Sequence, residues 1–214
     1  VALKALILWA LTEEPKRRGG PIMVINTAHQ LDLAVEIFEA LAPILDKKFG
    51  AKVKWSYGRN EVIMPDGTRW LVQAATPKAF HGFSPTYIVA DEVWNISRDV
   101  LLNGALPSQR VMQSPLLSCW STAGTEDSQA MLQMREEGLR AIDQGETTKL
   151  YFAEWSVPPG IDPMTSPDLW PMANPALGYT LMPDVLADEA QQVDKAAFLR
   201  ASLNVWISSE NSWL

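Results

Sequence analysis

The chain is short of the residues that build disulfide and metal chemistry. Its 214 residues include one cysteine, Cys119, and two histidines, His29 and His81. One cysteine excludes an internal disulfide and any cysteine-based zinc cluster, and fits a reducing compartment. Two histidines leave little for a histidine metal site, and each reads as structural, His81 in a turn just before Gly82. Long apolar runs are missing as well. The opening VALKALILWAL is too short to span a bilayer and carries Lys4 inside it, so it reads as a buried helix with no membrane role. Positive charge is outnumbered, 18 Lys and Arg against 25 Asp and Glu, for a formal net charge of -7. That balance excludes a domain that grips nucleic acid over its whole surface and leaves room for a local basic strip or a neighbouring domain. The basic cluster PKRRGG, with Lys16, Arg17 and Arg18, reads as a solvated turn.

What the chain does have is apolar content. At 47% hydrophobic it supports one large globular domain, or a domain with an appendage, and a substantial core. Helix and strand signals alternate along it. PIMVINT (Pro21 to Thr27) is a strand buried on both faces, and Ala34, Ile37, Phe38, Leu41 and Leu45 then recur on one helical face. AKVKWSYG alternates like a half-exposed strand, and NEVIMPDGTRWLVQAAT reads as two short strands about a Pro65-Asp66-Gly67 turn. TYIVADE is a strand, followed by a short helix near Asp99 to Ala105. SPLLSCWSTAGT is a strand running into a small-residue loop. EDSQAMLQMREEGLRAIDQG is a helix, on which Arg135 and Arg140 read as solvated, and TKLYFAEWSV is a further strand. Strands separated by helices imply parallel pairing with right-handed crossovers. The expected fold is α/β, a mostly parallel open sheet with helices on both faces. Composition shifts at Pro158, where a proline-rich segment, with Asn174-Pro175 as a turn, leads into a small helical C-terminal extension. The expected division is therefore 1–157 and 158–214. The last residues, SSENSWL, offer no terminal element, which suggests a truncated chain.

In open parallel sheets ligands sit at the carboxyl ends of strands. Three strands deliver polar residues there: Asn26 and Thr27, Asp91 and Glu92, and Ser121, Thr122 and Thr125. Adjacent acids after an apolar run occur in solvated loops, and they also suit nucleotide hydrolysis. One carboxylate can hold the waters around Mg²⁺ while the next orients the attacking water. Yet no G-x-x-x-x-G-K-[ST] phosphate loop and no Gly-Lys pair occur in the sequence. Either that loop lies upstream of Val1, or this is not a P-loop protein.

Several collinear segments resemble the ATPase domain of tailed-phage terminase large subunits, the DNA-packaging motors. VINTAHQLDLAVEIFEAL resembles the strand and helix that follow the phosphate loop. FHGFSPTYIVADEVWNI resembles the Walker B region, LLSCWSTAGT the coupling motif, and WPMANPALGYTLMPDVLADEA with FLRASLNVWI the stretch that closes the domain. Together they cover most of residues 21 to 207. The resemblance implies a P-loop-NTPase-like core of the ASCE type, here lacking its phosphate loop. It implies ATP and Mg²⁺ as ligands, Asp91 as the Mg²⁺-linked carboxylate and Glu92 as the catalytic base. Ser121, Thr122, Ala123, Gly124 and Thr125 would couple hydrolysis to movement. Arg110 reads as a surface or capping arginine, or as an arginine finger for a neighbouring subunit. The implied partners are double-stranded DNA, the terminase small subunit, the portal and further copies in a ring, in the host cytoplasm, with a nuclease domain elsewhere. A helicase-like translocase, and a fragment that only folds and pairs with partners, are the rival readings.

Overall fold

The computed structural model describes residues 1–56, 60–145, 149–192 and 194–207. They form two compact units, the first Val1–Ser121 and the second from Thr122 onward. In the first unit, β1 (Met23–Ala28), β2 (Lys52–Lys54), β3 (Glu61–Ile63), β4 (Arg69–Val72), β5 (Tyr87–Asp91) and β6 (Leu116–Cys119) make one sheet in the order β2-β3-β4-β1-β5-β6. β4, β1, β5 and β6 run parallel, while β2 and β3 add an antiparallel edge. The mixed edge has a local cause, because strands joined by a tight turn must be antiparallel. Gly67 takes φ 90 there, and Asp66 accepts from the Thr68 main-chain N–H at 2.9 Å.

One sheet face carries α1 (Ala2–Thr12) and α3 (Leu31–Phe49). The five residues of the predicted α3 stripe, Ala34, Ile37, Phe38, Leu41 and Leu45, are all buried. They share a core with Ile7 and Leu11 of α1 and with Val24, Trp70, Val72 and Val89 of the sheet. Phe38 sits at its centre, with ring centroids 5.0 Å from Trp70 and 4.9 Å from Trp55. The alternating residues Ile25, Leu71, Ile88 and Ala90 are buried too, so β1, β4 and β5 are covered on both faces. The expected helix near Asp99 is a π-helical turn, Val100–Ala105, that runs into the short α4 (Leu106–Ser108).

The PKRRGG segment departs from the expected solvated turn. Its first four residues lie in α2 (Glu14–Arg18), where Lys16 and Arg17 are exposed and Pro15 and Arg18 are not. Glu14 is buried and accepts from Arg18 Nε at 2.7 Å and from the Tyr87 hydroxyl at 2.8 Å. Arg18 also donates to the carbonyls of Gln113 and Ser114, at 2.6 and 2.7 Å, and so ties α2 to the loop before β6.

The second unit contains α5 (Gln129–Asp143), α6 (Trp170–Ala173), α7 (Pro183–Gln192) and α8 (Lys195–Ala201). Its own core is Val157, Trp170, Leu186, Phe198 and Leu203. Asn174 turns the chain as expected and seats the last helices, donating to the Ser202 carbonyl at 2.7 Å. The strand expected in TKLYFAEWSV is absent from its described part, 149–157. Its alternation is satisfied by α5 instead. Phe152 fills the space beside Gly138, and Glu154 takes a two-pronged ion pair from Arg135 at 2.6 and 2.9 Å. Arg135 also lies over the Trp206 ring, 5.5 Å from its centroid, so it is engaged on both sides and not simply solvated; Arg140 is exposed. The expectation for 208–214 falls outside the described residues.

Candidate active site

Because β4, β1, β5 and β6 share a direction, their carboxyl ends lie along one edge of the sheet. β5 is an internal strand of this set and ends there in Asp91, followed by Glu92. Ala90 is in register with Cys119 of β6, and Trp120 N–H donates to the Ala90 carbonyl at 2.9 Å. Beyond the strands the two chains stay joined. Val93 N–H donates to the Trp120 carbonyl at 3.1 Å, and Trp94 N–H donates to Ser121 Oγ at 2.9 Å. The acids and Ser121 therefore meet on neighbouring strand ends, as the sequence led one to expect.

The backbone separates the two acids. The pleat sets Asp91 on the face of Tyr87 and Val89. Glu92 then takes a left-handed conformation, φ 52 and ψ 47, which costs a non-glycine residue about 1 kcal/mol. Its carboxylate accepts from the indole Nε1 of Trp94 at 2.6 Å, while Asp91 Oδ1 accepts from the Glu92 main-chain N–H at 3.0 Å. Burial pushes the Asp91 carboxyl above its usual range and the Glu92 charge adds to this, against the opposing pull of the Glu92 N–H. A cation beside Asp91 would favour the ionised form again. Among the described residues no group of three or more His, Cys, Asp or Glu could cage a metal. Asp91 and Glu92 offer hard carboxylate oxygens, the donor type that Mg²⁺ takes.

The end of β1 divides its polar residues by role. Asn26 is a structural bridge, donating to the Ala34 carbonyl at 3.1 Å and accepting from Trp70 Nε1 at 2.7 Å. The Thr27 hydroxyl and His29 Nδ1 are buried with no hydrogen-bond partner among the described residues. The His29 ring lies 5.8 Å from that of Trp94. Neither His29 nor Trp94 was singled out as functional in the sequence, although a tryptophan two residues after a strand-end glutamate is visible there.

Arg110 is exposed, and the adjoining Gln109 donates to the carbonyls of Thr86 and Leu116, which marks the amino edge of β5 and β6. Arg110 is therefore a strand's length from the acids of its own chain. Thr122 to Thr125 open the second unit, where Thr125 N–H donates to Ser128 Oγ at 3.0 Å and Ala123 is buried. A Cβ on Gly124 would collide with the Ser128 side chain, so this loop depends on its glycine. Burial pushes the Cys119 thiol up to about 12, so it stays protonated at neutral pH. His81 is exposed in its turn.

No protein-family model and no curated protein sequence matches this chain. Solved structures do. The HK97 bacteriophage large terminase matches with a TM-score of 0.75 at 19% identity, over 95% of this chain and 43% of that one. The Thermus phage P74-26 large terminase ATPase domain matches at 0.61 and 12% identity, over 96% of this chain and 83% of that domain. The fold is that of a phage large-terminase ATPase domain. A third structure on this terminase fold, from a thermophilic bacteriophage and in complex with ADP, matches at 0.56 and 11% identity, over 96% of this chain and 44% of that one. The chain thus spans less than half the length of the whole terminases it matches. The terminase likeness extends through both compact units.

Proposed function

We propose that this chain is part of the ATPase domain of a phage large terminase, whose parent protein hydrolyses ATP to drive double-stranded DNA into a procapsid. One observation carries the reading: two differently directed carboxylates, Asp91 and Glu92, end an internal strand beside Ser121 on a terminase ATPase fold. The parent protein would add a phosphate loop and a nuclease domain, and would act as a ring of copies with a small subunit and a portal, in the host cytoplasm. Residues 158–214 would close the ATPase domain against that nuclease. Any arginine finger from Arg110 would have to serve a neighbouring copy.

Phosphoryl transfer asks the protein for position and charge more than for covalent chemistry. Glu92 keeps one oxygen on Trp94 and offers the other to a water, which it would orient toward the γ-phosphate. Asp91 would hold the hydration shell of Mg²⁺, whose charge offsets that of the phosphates. Ser121, at the end of β6, and the loop through Thr122, Ala123, Gly124 and Thr125 would carry the change away from the site. These 214 residues, with no Gly-Lys pair, should hydrolyse ATP at a negligible rate, because a phosphate loop supplies the main-chain donors and the cation that bind the β- and γ-phosphates.

The test is Glu92→Gln in the full-length protein. Single-turnover hydrolysis should fall roughly 10²–10⁴-fold, the range of a general base, with ATP affinity nearly unchanged. Unchanged hydrolysis in that variant would overturn the reading.

A further inference from the structure

Glu92 has an anchor that the reaction itself does not require. Its Oε2 accepts from the indole N–H of Trp94 at 2.6 Å, a charge-assisted bond at the short end of the range. Glu92 stands in the left-handed region, so its direction is not one that the strand imposes. Something must fix where the carboxylate points, and the indole is the partner in place. Trp94 is itself fixed. Its main-chain N–H donates to Ser121 Oγ at 2.9 Å, the preceding Val93 N–H donates to the Trp120 carbonyl at 3.1 Å, and its ring lies 5.8 Å from that of His29. A chain of contacts thus runs from the end of β6, through the Trp94 backbone and indole, to the Glu92 carboxylate.

We propose that Trp94 is the positioning residue for Glu92, aiming its carboxylate through the indole N–H and transmitting to it any shift of Ser121. This rests on the reading of Glu92 as the group that orients water. Two consequences follow from the geometry. Removing the indole N–H frees the carboxylate to rotate while leaving the nucleotide contacts alone, so kcat should fall and nucleotide affinity should not. Trp94 acts only through Glu92, so its removal should cost nothing once Glu92 has lost its function.

The experiment compares Trp94→Phe, Glu92→Gln and the double variant in the full-length protein, with thermal melting as a check on folding. Replacing Trp94 by benzothienylalanine, which puts sulfur in place of the N–H at the same shape, covers the case in which phenylalanine disturbs packing against His29. Either single change at Trp94 should lower kcat about tenfold or more, the scale of a lost hydrogen bond to a charged group, with KM and nucleotide affinity unchanged. The double variant should be no slower than Glu92→Gln alone. If Glu92→Gln stops hydrolysis while the benzothienyl protein keeps its full rate, Trp94 does not position Glu92 and the proposal fails alone. Additive losses, or a loss of affinity that tracks a lower melting temperature, would also overturn it by showing a role in packing. An unimpaired Glu92→Gln protein would instead remove the reading beneath it.

Discussion

Two neighbouring carboxylates do different work only when the backbone turns between them. Here the turn is the left-handed Glu92, which leaves Asp91 on the strand's own pleat and carries the next side chain to Trp94. The division of labour makes a prediction for the first acid. Asp91→Ala should weaken Mg²⁺-dependent ATP binding and leave metal-free binding unchanged, because it removes an anchor for the ion's waters and no contact to the nucleotide. Titration of nucleotide with and without Mg²⁺ checks this, and equal losses in both conditions would contradict it. Both acids and Ser121 are legible in the sequence as polar ends of apolar runs. The part of Trp94 is not, since its indole meets Glu92 only because a tight turn of Val93–Asn95 folds it back.

At the scale of elements, α3 is what makes the sheet a rigid platform for the site. Its apolar stripe recurs at helical spacing, Asp32 lies in the first turn and Lys47 and Lys48 in the last, where each charge suits the helix dipole. Gly50 closes the helix at φ 68, a conformation that glycine adopts without strain. Phe38 is fully buried between Trp55 and Trp70, so Phe38→Ala should cost roughly 3–4 kcal/mol, to be read from denaturant unfolding of the folded chain. A loss under about 1 kcal/mol would mean that this core collapses around the gap. α3 and the Pro65-Asp66-Gly67 hairpin are written locally and were readable. The segment 149–157 was not, because an alternating pattern fits a strand and also fits a chain lying along a helix. Only the seat of Phe152 at Gly138 and the Arg135–Glu154 pair settle which one forms.

For the molecule as a whole, buried carboxylates link distant stretches and set the response to acid. Glu14 joins α2 to Tyr87 of β5, and its partner Arg18 reaches the loop before β6; Glu61 joins β3 to Arg69 of β4. Burial would raise both carboxyls, but the Tyr87 hydroxyl and Arg18 at Glu14, and Arg69 and Lys54 at Glu61, outweigh it and hold them below the usual 4.5. A carboxylate depressed on folding adds stability above its unfolded value, and that share is lost as pH falls through the folded value. Asp91, raised on folding, acts in the opposite sense. Two against one, the melting temperature should decline as pH falls below 4.5, and Glu14→Gln should flatten the decline. The same change should cost about 2 kcal/mol at neutral pH, less than for a fully enclosed pair because Arg18 keeps some solvent contact. A decline that Glu14→Gln leaves intact would place the acid sensitivity elsewhere.

The amino-acid sequence was enough to establish the α/β class, the carriers of the core and the polar strand ends, because periodicity and turn residues act over a few positions. It also carried the resemblance to terminase motors in the collinear order of its segments, and the terminase fold bears that out. Tertiary packing settled which polar groups meet. It made Asn26 a bridge between Ala34 and Trp70, folded Arg18 into a half-buried ion pair, set Arg110 on the edge away from the acids and put the indole of Trp94 on Glu92. Those outcomes depend on strand order, register and the direction of single side chains. Such quantities are fixed by contacts between residues far apart in the chain, and no local pattern encodes them.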